Sequence, residues 1–207
     1  MENAARIGLV AVVTGIMVIL GLDLASLGEM DPLRRTISEH GLGTQGWVFA
    51  VAVGLLAAGS GVIAWVLARR RFAGVLGTLA LVSWSVGLLI VAAFPKHDWS
   101  VGPSVSGSIH RVGSLVAFLS LPVAALLIAR PWRHRRALPA FLLGLGSVAW
   151  VVGIGAVVAL ATRAGLAWWQ AMPLGLVERG LAATEVATVL ALGVWASRSH
   201  SLTAKPA

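Results

Sequence analysis

Residues 72–111 read FAGVLGTLALVSWSVGLLIVAAFPKHDWSVGPSVSGSIHR. No Asp, Glu, Lys or Arg occurs from Phe72 to Pro95. Lys96, His97 and Asp98 then follow in a row, and His110 and Arg111 close the stretch. An α-helix rises 1.5 Å per residue, so about twenty apolar residues cross a hydrocarbon core of about 30 Å. Residues 73–94 therefore predict a membrane span. A polar turn follows, and a second span opens at 109.

The same pattern repeats outward in both directions. Apolar runs at 7–24, 47–68, 73–94, 109–129, 137–161 and 176–195 are each 18–25 residues long. None alternates with period two, so a β-barrel is not indicated. The expectation is an all-α fold, a six-transmembrane-helix bundle forming a single domain over 1–207. The first run follows one basic residue, Arg6, and is long for a secretory signal, so it reads as a retained helix. Ser26–Gly46 holds Pro32 and several glycines and reads as a connector. Pro122 predicts a kink within the fourth span.

Composition agrees. Hydrophobic residues make up 58% of the 207, charged residues only 12%, and mean hydropathy is +0.89. Soluble domains average about 25% charged residues. The absence of cysteine removes disulfides, cysteine metal sites and thiol nucleophiles. The net charge of +8 comes largely from arginines at the ends of apolar runs, which is a topology signal rather than a nucleic-acid surface.

With the N-terminus inside, inner segments hold Arg6, Arg69, Arg70, Arg71, Arg130, Arg133, Arg135, Arg136, Arg198 and Lys205. Outer segments hold Arg34, Arg35, Lys96, Arg111, Arg163 and Arg179. That bias predicts a multi-pass cell-membrane protein with cytoplasmic N and C termini. Trp47, Trp99, Trp132, Trp168, Trp169 and Trp195 fall near predicted span ends, where amphipathic rings settle.

This topology collects the ionisable residues on the outer face. Glu39, Asp98, His110 and Glu178 are the candidates for acid–base chemistry, and His40, His97, Arg111 and Arg179 the candidates for ligand contact. The competing reading is that charges at helix ends sit among lipid headgroups, Glu178 complementing its own helix dipole and Arg179 snorkelling. Asp23 reads as interfacial. Glu185 differs, because it lies about 13 Å into the last span, where a lone carboxylate is expensive. Glu178 and Glu185 are seven apart and so share a face. Ser38-Glu39-His40 holds the residue types of a hydrolase triad, but neighbours in sequence rarely give triad geometry. Small and hydroxyl residues recur inside the spans, as close helix packing requires.

Four short motifs occur in order. They are Thr36-Ile37-Ser38-Glu39-His40-Gly41, Phe94-Pro95 with Asp98, Gly107-Ser108-Ile109-His110-Arg111, and Gly175-Leu176-Val177-Glu178-Arg179. In this the chain resembles a family of prokaryotic membrane proteins, the domain of unknown function 998. The resemblance implies six helices and a membrane location, and it carries no established activity.

Three functions follow as expectations. The first is an integral membrane protein whose outer polar cluster binds a ligand, an ion or a lipid headgroup. The second is a membrane enzyme on a lipid or isoprenoid substrate, with His97 and His110 as partners of the acids or as metal ligands. The third is a proton-coupled transporter using Glu185. The expected partners are the bilayer and a lipid or small-molecule ligand, with no nucleic acid. The residues name no cofactor, no metal set and no oligomeric state.

Overall fold

A computed structural model describes residues 1–130 and 134–198. Trp132, Arg133 and Lys205 lie outside the described residues. Six helices are long and apolar enough to cross a membrane, and among the described residues there is no strand. They are α1 (Glu2–Ala25), α2 (Gly46–Arg69), α3 (Gly74–Ala93), α4 (Val105–Ile128), α5 (Leu138–Arg163) and α6 (Leu174–Arg198). The expected connector holds a short 3-10 helix, Ile37–Gly41.

Each helix packs on the next, and α6 closes the ring against α1. α2 is the most enclosed, with 56% of its apolar window buried, whereas α5 shows 11% and so lies at the rim. The side chains sort to two ends. One end gathers Asp23, the 3-10 helix, Lys96, His110 and Arg179. The other carries Arg6, Arg69, Arg70, Arg71, Arg130, Arg135, Arg136 and Arg198.

Helix boundaries explain the local sequence. α4 starts four residues before the expected span, because the Ser104 side chain accepts from the Gly107 amide at 3.0 Å and caps it. α6 starts at Leu174, directly after Pro173, which puts Glu178 in the second turn rather than the first. α2 stops at the arginine end in a Schellman arrangement. The Phe72 and Arg71 amides bond to the Leu67 and Ala68 carbonyls at 3.0 and 2.9 Å, with Arg71 at φ 58°. The chain thus reverses at once into α3.

Small residues set the helix spacing. A Cβ added at Gly59 would lie 2.5 Å from the Gly8 carbonyl oxygen and 2.8 Å from Val12 Cγ2, and one at Gly15 would lie 2.6 Å from the Ala52 oxygen. In lipid no hydrophobic drive separates helix faces from tails, so such close backbone approach supplies the association. At mid-depth Trp84 Nε1 donates to Ser60 Oγ at 3.1 Å, joining α3 to α2. Gly59→Ala is expected to destabilise the protein by about 1–3 kcal/mol through forced separation of α1 and α2. Gly54→Ala, where the added carbon meets nothing, is expected to be neutral or slightly stabilising. Thermal unfolding of both variants in detergent checks the contrast.

Candidate functional site

The polar end is built on Asp23, near the last turn of α1. Arg179 of α6 grips its carboxylate in a fork, Nε to Oδ2 at 3.0 Å and Nη2 to Oδ1 at 2.6 Å. His40 Nε2 donates to the same carboxylate at 2.8 Å. The third nitrogen of Arg179, Nη1, donates to the backbone oxygens of Pro32 and Arg35 at 2.8 and 2.6 Å. Asp23 is therefore an anchor, with partners that its interfacial reading did not name.

The Gly175–Arg179 motif fastens the α1–α2 connector to the start of α6. A side chain at Gly175 would collide with the Pro32 and Arg35 carbonyls, so glycine admits the loop. The Leu176 amide, which has no acceptor in its own helix, donates to Leu33 O at 3.1 Å. Glu178 Oε2 accepts from the Ile37 amide at 2.6 Å. Its carboxylate thus serves the start of the 3-10 helix, rather than the dipole of its own helix.

Glu39 ties the connector to the next loop. Its carboxylate meets Arg35 Nη1 at 2.9 Å and Lys96 Nζ at 3.3 Å, and Lys96 also donates to Thr36 Oγ1 at 2.8 Å. Burial pushes the Glu39 carboxyl up, but Lys96, the Thr36 amide and Arg35 outweigh it and hold the group below its ordinary value. Ser38, Glu39 and His40 diverge to Thr36, Lys96 and Asp23 respectively, so they form no triad.

The α3–α4 loop is shaped by its own residues. His97 Nδ1 accepts from the Ser104 amide at 2.9 Å, and its ring packs where a side chain at Gly107 would stand. Asp98 is exposed and accepts from the Ser100 hydroxyl and amide at 2.5 and 2.9 Å, which hold its carboxyl below the usual range. Arg111 is exposed. Thus Glu39, His40, Glu178 and Arg179 come together with Asp23 and Lys96, whereas His97, Asp98 and Arg111 stand apart. Among the described residues no three His, Asp or Glu side chains are grouped so as to hold a metal ion.

Beneath this layer lies a cavity of about 280 Å³. Its walls are apolar and include Leu56, Trp84, Leu88, Phe118 and Val186. Its polar lining comes from Asp23, Ser38, His110, Ser114, Glu178 and Arg179. His110 Nδ1 donates to the Phe94 carbonyl at 2.7 Å, which fixes the proton on Nδ1 and leaves Nε2 as the acceptor of the neutral ring. Glu185 is fully buried, and among the described residues neither of its oxygens has a hydrogen-bond partner, so it does not face lipid. It lines neither this cavity nor those at the α5–α6 face and the arginine end.

Sequence reasoning named Asp23, Arg35, Thr36 and Lys96 but made none of them a site candidate. Asp23 carried a signal, since a carboxylate closing an apolar run needs a cation at the same depth, and Arg179 was available.

Fold and site together define an integral membrane protein with six spanning helices and a largely apolar cavity under a knitted polar layer. The chain belongs to the family described as protein of unknown function (DUF998), whose model matches residues 9–195. That match contains all four motifs, and each contributes to the polar end. No curated protein and no solved structure matches the chain.

Asp23→Asn is expected to cost about 3 kcal/mol, because it strands the Arg179 guanidinium and unseats His40. Pairing it with Arg179→Gln is expected to cost less than the sum of the two, as denaturant unfolding would reveal. Glu39 gives a second expectation. Its lowered value means the stabilisation is complete above the ordinary 4.5 and fades as pH falls through the lower folded value. Melting curves of the wild type from neutral pH to below pH 4 should show that loss, and Glu39→Gln should remove its share of the pH dependence.

Proposed function

We propose that the protein binds an amphipathic molecule at its polar end, with hydrocarbon in the apolar cavity and a small polar head against His110, Ser38, Ser114 and Glu178. One observation carries this reading: an apolar chamber inside the bundle whose polar lining is confined to the ionisable layer. Ligand pockets commonly span about 300–1,000 Å³, so this chamber suits a slim chain or part of one.

The charges select the head. Two carboxylates, Asp23 and Glu178, face one guanidinium, and Arg179 already donates to Asp23 and to main-chain oxygens. A phosphate would find little free donor capacity and would meet like charge. A hydroxyl or an amine can donate to Glu178 or to His110 Nε2. The arginine bias supports an extracytoplasmic position for this end. The tautomer of His110 also favours a second reading, in which His110 is the general base acting on the bound hydroxyl.

The full chain in lipid nanodiscs, titrated with dodecanol, dodecylamine and dodecyl phosphate, tests the proposal. The alcohol or the amine is expected to raise the melting temperature saturably and the phosphate to leave it unchanged. Ala182→Leu, which narrows the chamber, should abolish the shift. No saturable shift from either the alcohol or the amine, or a shift indifferent to Ala182→Leu, overturns it.

A further inference from the structure

The opposite end of the bundle holds a different feature. A groove of about 990 Å³ opens between the start of α1, the start of α5 and the end of α6. Its walls are apolar, formed by Leu138 and Pro139 of α5 and by Leu190, Ala191 and Val194 of α6. Four arginines rim it: Arg6, Arg135, Arg136 and Arg198. Glu2 is the one carboxylate in the lining.

We infer that this groove seats an anionic phospholipid of the leaflet at the arginine end, its phosphodiester among Arg6, Arg135, Arg136 and Arg198 and an acyl chain along α6.

Three observations favour that occupant. Among the described residues, no carboxylate lies within ion-pair distance of Arg6, Arg135 or Arg136, so the rim has cationic capacity to spare. Residues 199–207 hold Lys205 and no Asp or Glu. The walls below the rim belong to membrane-spanning helices, and α5 and α1 share no extended packing, which leaves the groove open sideways to the hydrocarbon. A free phosphate would use the arginines and waste the apolar walls. A phospholipid uses both, and a guanidinium fork matches a phosphate's paired oxygens. Basic pockets between spanning helices on the cytoplasmic side are a recognised setting for anionic headgroups.

The site is independent of the polar-end cavity. It differs in chemistry, with arginines in place of carboxylates, and it lies at the other end of the helices. Failure of one therefore leaves the other standing.

Native mass spectrometry of the full chain in mild detergent, with phosphatidylglycerol and phosphatidylcholine of matched acyl chains, is the test. Phosphatidylglycerol is expected to be retained in preference to phosphatidylcholine. Arg135→Gln with Arg136→Gln should weaken that retention at least about tenfold, while Arg135→Lys with Arg136→Lys should largely keep it. Ala191→Trp keeps every charge and obstructs the wall, and it should also weaken retention. The melting temperature without added lipid reports whether each variant is folded. Equal retention of the two lipids, or glutamine variants that bind like the wild type, overturns the proposal. Displacement of the lipid by inorganic phosphate alone would do so too, since it would mark a simple anion site.

Discussion

The forked ion pair between Asp23 and Arg179 is the constraint on which the polar end depends. It joins the first helix to the last, so it closes the ring rather than decorating it. A carboxylate near the end of an apolar helix is costly unless a cation reaches it, and a guanidinium buried against carbonyls is costly unless an anion balances it. Each solves the other's problem. Once they meet, Arg179 still has donors to spend, and it spends them on the Pro32 and Arg35 carbonyls. The connector is drawn onto α6, and the Leu176 amide and the Glu178 carboxylate secure it there. His40 and Glu39 are then carried into place by a loop whose path is already settled.

This ordering gives the four short motifs one physical meaning. Gly175 and Gly107 are openings, the first for a loop and the second for the His97 ring. Ser104 and Thr36 begin helices. Glu39 and Lys96 stitch the connector to the loop after α3. Much of it is architecture, and the polar side chains of this layer that line the cavity without belonging to the Asp23–Arg179 fork are fewer: His110, Ser38, Ser114 and Glu178.

The helices were legible in the sequence because length and apolarity alone decide them, as the run between Arg71 and Lys96 shows. The gathering of the polar residues at one end was legible too, since short loops leave little freedom. Partnerships were not. Nothing in the spacing says that His97 turns back on Ser104 while His110 seeks Phe94, or that Asp98 serves Ser100 in an exposed turn. These are choices of rotamer and loop path, fixed by tertiary packing. Asp23 was the instructive miss. Its position among lipid headgroups seemed a sufficient account of it, because a single charge at a helix end demands no explanation until its neighbours are known.

The partner that holds the His110 ring is a main-chain oxygen, at residue 94. Exchanging the phenylalanine for another residue leaves that oxygen in place. The proton on the ring is therefore governed by the course of the backbone where α3 ends, not by any one side chain. Substitutions can reshape the chamber's walls, widening or narrowing them, without disturbing the imidazole that faces it.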